Sequence, residues 1–349
     1  MSATLATGRT VDAAAAPPGS PVVATTPWSR LALLAGALVL LVTVMVSAFV
    51  WPAVAGRPRD LPVALVAPPE QATVVTRALE GAQPGALDVT VLPDEAAARA
   101  AIGAREAYGA LVLTPDGARM LTAPAGGPAV ATQLTELARA LGADLARREG
   151  VELVEPVLVE PVVALPPDDP RGAGFASAAL PLVLASVATG AVAVLAVRGL
   201  ARRVTLVATA AVGGGLAVQA VAGPWLGVLT GNPWAQSGVV TLAVAAVGLA
   251  VVGAHALLGR PGFVLVAATT VLLGNPLSAA TSAPEILPAG WAELGQALPP
   301  GALVRALRSI AYFDGAGSGD PIGVLVLWLA GGVALLGGTL VLRRRAVSG

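Results

Sequence analysis

Cysteine is absent from the chain, which excludes disulfides, thiolate zinc sites and thiol chemistry. Lysine is absent as well: every basic side chain other than the single histidine is an arginine. A P-loop ATPase needs a lysine on the terminal phosphates, so this chain cannot itself be one. One histidine, His255, is too few for a metal cluster or an acid–base pair. Charge is scarce too. Only 12% of residues are charged, the formal net charge is zero and no basic stripe occurs, so the electrostatic footprint of a nucleic-acid binder is missing. These absences predict no catalytic residue, no metal site and no cofactor.

What the chain has in excess is apolar residues, at 56%, far above the share of a soluble domain. Residues 1–30 are rich in Ala, Thr, Pro and Gly and read as a disordered tail. Leu31 to Val50 then runs without a charge, and 20 residues at about 1.5 Å each cross roughly 30 Å of hydrocarbon. Trp28 and Trp51 bracket this first span, placed at 31–52, as interfacial anchors. A cleavable signal ending near Ala53-Val54-Ala55 is the rival reading. The tail is too long for it, and the apolar stretch exceeds a signal core of about 7–15 residues. Five further apolar runs follow, near Phe175–Val197, Val204–Leu226, Gly238–Leu258, Gly262–Thr281 and Ile322–Leu342, making a five-helix membrane domain over 172–349. Arg198, Arg202, Arg203 and Arg260 occupy short loops after the second and fourth spans, and Arg343-Arg344-Arg345 follows the last. By the positive-inside rule these ends are cytoplasmic, which puts both termini inside and residues 57–171 outside. The arginine-only, Ala- and Gly-rich composition points to a GC-rich bacterial genome, hence to a bacterial cell membrane.

Between the first two spans the character changes to ten Arg against sixteen Asp and Glu, with the periodicities of a soluble α/β domain. Strands are expected at Leu61–Val66, Leu87–Leu92 and Ala110–Leu113, the last stopped by Thr114-Pro115-Asp116-Gly117. Helices are expected at Glu70–Leu79, at Asp94–Ile102 with Asp94 as its cap, and at Gln133–Arg148, where Leu134, Leu137, Leu141 and Leu145 form one stripe. Val151–Val163 looks strand-like, but Pro156 and Pro161 push it to an edge or a linker. The fold class is therefore a polytopic α-helical membrane protein with six spans and an extracytoplasmic α/β domain inserted between spans one and two.

No Asp, Glu or Arg interrupts a span, which argues against a proton-coupled antiporter. Gln219 is expected either to bond a neighbouring helix or to line a path. Glycines at Gly213, Gly214, Gly215, Gly331, Gly332, Gly337 and Gly338 suit close helix packing. Asn275-Pro276 should break the fifth span in its outer half, and broken helices at membrane depth are tolerated only where they are buried or line a cavity. Two short amphipathic pieces follow within a re-entrant or interfacial outer segment, 283–320. Pro288–Leu298 aligns Trp291, Leu294 and Leu298, and Gly301–Tyr312 sets Leu303, Leu307 and Ile310 opposite Arg305 and Arg308. Gln219, Asn275, Pro276, Pro288, Trp291, Pro299, Arg305 and Arg308 are the candidates for a path or gate.

One span, a large outer α/β domain and five spans form a layout that resembles the permeases of the type 2 ABC exporter family, in the branch that includes the phage infection proteins. The stretches that carry it are Leu61–Val66, Asp94-Glu95-Ala96-Ala97 leading to Glu106–Pro115, Asp168–Gly172, Glu285–Pro288, and Leu298–Ala302 with Arg305–Arg308. The resemblance implies a homodimeric or heterodimeric export path driven by a separate cytoplasmic ABC ATPase, with Arg198, Arg202, Arg203 and Arg260 as coupling candidates. The chain departs from the family in lacking an amphipathic helix before the first span and in having only Arg198–Arg203 as the loop after the second. A membrane-anchored scaffold or receptor, whose outer domain binds envelope or secretion components, stands beside the exporter reading. An apolar path without charges suits a hydrophobic substrate.

Overall fold

The computed structural model describes residues 26–114, 117–149 and 157–348. Most of the expected tail, the Pro115-Asp116 turn and the first part of 151–163 lie outside the described residues. The chain divides into two compact units, residues 1–45 and 46–349. In the first, the described residues are helical from Trp28, the start of α1 (Trp28–Ala55). The second holds the sheet domain and the remaining helices.

The sheet has five strands: β1 (Leu61–Val66), β2 (Leu87–Val91), β3 (Gly109–Thr114), β4 (Gly117–Thr122) and β5 (Val157–Pro161), in the order β2-β1-β3-β4-β5. β1 pairs in parallel with β2 and β3, β3 with β4 antiparallel, and β4 with β5 in parallel. The helices α2 (Pro69–Ala82), α3 (Glu95–Gly103) and α4 (Pro128–Glu149) cover it. The Asp94 carboxylate accepts from the Ala97 N–H at 2.8 Å and so caps α3. Proline-bearing β5 is an edge strand, where the donor that Pro161 lacks is not required. β4 is the strand the sequence reading lacks.

The period of two along each strand divides the core. Leu61, Val63, Leu65, Leu111 and Met120 pack on one face with Val130 and Leu134 of α4. Ala64, Ala110, Val112 and Leu121 pack on the other with Ala98 and Ile102 of α3. Neither core is closed by residues 57–171 alone. Ala283 and Ile286 complete the first, and Phe313 completes the second. Backbone bonds from the Arg57 and Arg59 N–H groups to the Ile286 and Glu285 carbonyls fix the same junction.

Five helices among the described residues are long and apolar enough to cross a membrane: Trp28–Pro52, Ala173–Ala196, Leu200–Trp225, Pro233–Leu258 and Gly319–Leu342. The last four correspond to α5 (Ala173–Ala196), to α6 (Leu200–Ala220) with the turn that follows it, to α7 (Pro233–Leu258) and to the first part of α11 (Gly319–Ser348). α7 is the hub. Helix backbones approach it closely where a neighbour has no side chain: a Cβ on Gly332 would stand 2.7 Å from the Ala250 nitrogen, and one on Gly215 would overlap the Ser237 carbonyl and the Thr241 hydroxyl. Gly213, Gly214, Gly331, Gly337 and Gly338 meet no neighbour. Of the seven glycines expected to pack, only Gly215 and Gly332 do.

The fifth apolar run is not one uninterrupted helix. α8 (Arg260–Ala268) continues as a π-helical turn, Thr269–Gly274, then a 3-10 turn, Pro276–Ser278, and Ala279 takes a left-handed φ of 54°. Pro276 has no N–H to extend the ladder, and the apolar helix ends at Gly274, where Asn275-Pro276 begins. A second π-helical turn, Val221–Trp225, ends α6 around Pro224. Two short helices follow, α9 (Trp291–Ala297) and α10 (Pro299–Tyr312).

Gly332→Leu forces a side chain into the α7 backbone and should cost about 1–3 kcal/mol, seen as a lowered thermal midpoint in detergent. Gly331→Leu, one residue away in open space, should leave the midpoint unchanged.

Candidate functional site

The sequence leaves Gly301–Tyr312 as an interfacial or re-entrant piece with Arg305 and Arg308 opposite its leucines, and the structure buries Arg308 along with them. Pro299–Val304 and Ala306–Ala311 are buried, Arg305 is half-buried, and Leu303, Val304, Leu307 and Ile310 pack with α5 and α7. Arg308 is only 4% exposed. Its guanidinium donates to the carbonyls of Ala280 (2.6 Å) and Ser282 (3.3 Å), with Ala279 at 3.5 Å, and lies 5.1 Å from the centre of the Phe175 ring. A buried arginine must find acceptors for its fork of donors, and the backbone just beyond the broken helix supplies them. Burial pulls this guanidinium down to about 10, so it stays charged at neutral pH.

Further contacts tie the sheet domain to α10 and to the segments that flank it. Arg105, in the α3–β3 connection with a left-handed φ of 64°, donates to the Ser309 hydroxyl (2.6 Å) and the Arg305 carbonyl (3.3 Å). Its guanidinium also stacks 5.1 Å over Phe313, and desolvation lowers its pKa. The Tyr108 hydroxyl donates to Glu285 at 2.9 Å; burial, then the neighbouring Glu285 charge, push its pKa up. At the C-terminal end of α10, the Tyr312 hydroxyl donates to the Val228 carbonyl at 2.8 Å, and the Ala311 carbonyl accepts from the Thr230 hydroxyl at 2.8 Å. The head of α5 is fixed by Asp169, whose carboxylate accepts from the Gly174 and Phe175 N–H groups, both at 3.0 Å.

Beside this framework lies a half-open apolar cavity of about 350 Å³ between α5, the end of α6 with its π-helical turn, and α10. Phe175, Leu182, Val218, Ala222, Leu303 and Leu307 are among its walls, and none of its lining side chains is polar. It lies at the end of the spans that joins the sheet domain, where α5 begins and α6 ends. The interior between two helices is a common place for an apolar ligand.

Other expected site residues have other places. Trp291 stacks edge-on against Trp51 with ring centres 5.2 Å apart, and Pro288 is buried beneath it, accepting from the Trp291 N–H at 3.0 Å. Pro299 opens α10, where a missing N–H costs nothing. Pro276 opens the 3-10 turn, and the Asn275 carbonyl accepts from the Ser278 hydroxyl while its side-chain oxygen is buried without a partner. Gln219 is apart from α10 and keeps a buried, unpartnered side-chain oxygen. Of the coupling candidates, Arg198, Arg202 and Arg260 are exposed. Arg203 instead donates to the Val197 and Val194 carbonyls at 2.8 and 3.1 Å, closing the C-terminus of α5.

Sequence reasoning missed Arg105, Tyr108, Phe175, Tyr312 and Phe313. Arg105 carries a signal only in three dimensions, its left-handed backbone. Tyr108 and Tyr312 are the only two tyrosines of the chain, and this scarcity was the one available cue. Comparison with protein-family models, with curated proteins and with solved structures finds no match.

Arg308→Met keeps much of the volume but strands three carbonyls, and an unmet buried acceptor costs about 1–3 kcal/mol. The thermal midpoint should fall clearly for Arg308→Met and little for Arg305→Met at the half-exposed neighbour.

Proposed function

We propose that the protein is the membrane permease subunit of an exporter for an amphiphile with an apolar chain, powered by a separate ABC ATPase. The observation that carries this reading is the cavity whose walls hold no polar side chain and one of whose sides is α10. α10 is held by the sheet domain through Arg105 and by α5 through Arg308, so a shift of that domain would move a cavity wall.

In this reading the chain crosses a bacterial cell membrane six times, with both termini inside and the sheet domain outside. Five crossings are the long helices. The sixth is the broken segment from Arg260 onward, which returns to the sheet domain by Ser282, whose carbonyl lies 3.2 Å from where a Cβ on Gly127 would stand. Exposed Arg198, Arg202 and Arg260 lie at the opposite end and follow the positive-inside rule. The export path is a dimer, as the family resemblance implies. A scaffold or receptor is favoured by one observation: the connection between α5 and α6 is only Val197–Gly199, and Arg203 behind it is already engaged by α5. That leaves little surface for an ATPase to grip.

A mild-detergent pull-down of the tagged full-length protein from its host separates the two. Stoichiometric recovery of a P-loop ATPase, with hydrolysis that responds to this chain, is expected. Recovery of envelope or secretion proteins without an ATPase would establish the anchor reading instead.

A further inference from the structure

The apolar cavity beside α10 has a mouth, and the exposure of its lining residues shows where. On α5, Gly174, Ala178 and Pro181 recur at helical spacing and are exposed or half-buried, whereas Phe175, Ala179 and Leu182 beside them are buried. On α6 and its π-helical turn, Ala217 and Val221 are exposed and Val218 and Ala222 half-buried, and Leu226 just beyond is exposed as well. Leu303, Val304 and Leu307 of α10 are all buried. The cavity therefore has α10 as its back wall and opens between α5 and α6. A proline marks each side of the opening: Pro181 inside α5, and Pro224 in the π-helical turn.

The opening faces hydrocarbon. α5 and α6 are each long and apolar enough to cross a membrane. Around the mouth, Leu180 and Leu184 on α5 and Val212 and Leu216 on α6 are between 39% and 52% exposed, and exposed apolar side chains on a spanning helix meet lipid. No residue from Ala173 to Leu184 or from Val212 to Leu226 is charged, and Ser177 and Gln219 within those stretches lie outside the lining. The depth of the cavity matches one leaflet. At about 1.5 Å per residue, Gly174 to Leu182 covers about 12 Å and Ala217 to Leu226 about 13 Å, just under half of a hydrocarbon core of about 30 Å. Both stretches lie at the helix ends that join the sheet domain, so the leaflet is the one on that side.

A polar head drawn into this cavity would lose its water and meet no hydrogen-bonding side chain. A hydrocarbon chain loses nothing on leaving lipid for an apolar wall. The volume, about 350 Å³, stands at the low end for small-molecule sites, which suits one chain and not a whole two-chain lipid. Resting on the exporter reading, in which the cavity takes the chain of an amphiphile, we infer that it is loaded sideways. One acyl chain of a membrane lipid enters between Pro181 and Val221 from the leaflet on the sheet-domain side, while the headgroup stays at the surface. Export is then extraction from that leaflet, not passage across the bilayer.

The test uses the full-length protein in proteoliposomes and photoactivatable phosphatidylcholines that carry a diazirine at the chain tip or on the headgroup, exchanged into one leaflet. Protease access to the sheet domain reports orientation, and mass spectrometry locates the adducts. The tip probe should label α10 from the sheet-domain leaflet and not from the other, and the headgroup probe should leave α10 unlabelled. Ala217→Trp, at an exposed position of the mouth, should lower tip labelling of α10 roughly tenfold, the factor that excluding about two methylenes supplies, with the thermal midpoint unchanged. Leu184→Trp, exposed on α5 but outside the lining, should not lower it. Labelling from the far leaflet, equal labelling by the headgroup probe, or indifference to Ala217→Trp overturns sideways loading and leaves the exporter reading standing. So does labelling of α10 by a small free aryl diazirine but by neither lipid, or a second copy found over the mouth as prompt disulfide dimers of Ala217→Cys. No labelling of α10 by any probe overturns both readings.

Discussion

One buried cation organises the junction between the sheet domain and the spans. Arg308 sits inside the protein with no carboxylate partner in its contacts, so its charge is held by carbonyls and an aromatic face. Removing a guanidinium from water is expensive unless its donors are met. A place where a helix has come apart offers free carbonyls for this purpose. The carbonyls that follow the break after Gly274 are the ones that receive the arginine on α10. Pro276 opens the ladder, the Ala279 turn aims carbonyls inward, and Arg308 closes them.

From that point contacts run both ways. Toward the sheet, the segment around Ala283 and Ile286 enters one hydrophobic core and Phe313 the other, with Arg105 bridging to Ser309 between them. The sheet domain is thus completed by residues that follow the fifth apolar run, although it is written between the first two. Toward the spans, Arg308 and Tyr312 hold Phe175, whose ring walls the apolar cavity. A displacement of the sheet domain has a continuous packed route to α10 and the cavity.

Much of the sheet domain was legible in the sequence because its signals are local. β1 begins and ends where the alternation does, Asp94 caps α3 as its spacing requires, and Pro161 confines β5 to an edge. β4 was hidden because Thr114–Gly117 reads as a stop, whereas a new strand begins at Gly117, which pairs with Thr114. The site was far less legible. Arg308 in a helix of mixed pattern looks like a solvated charge, and only the carbonyls of Ala279–Ser282, some 26–29 residues away, make it a buried one. Periodicity reports which residues share a face, not what that face meets. The glycines teach the same lesson: Gly331 and Gly332 are neighbours in sequence, yet only one touches α7.

The account depends most on α10 walling a cavity that apolar molecules enter. Since the chain has no cysteine, a single Leu303→Cys variant offers one thiol in that wall. Its labelling rate in membranes, with an apolar maleimide and with a charged thiosulfonate of similar size, is the most direct measurement. The account predicts modification by the apolar reagent and protection from the charged one. Modification by the charged reagent alone, or by neither, would contradict it, because α10 would then face water or a closed core.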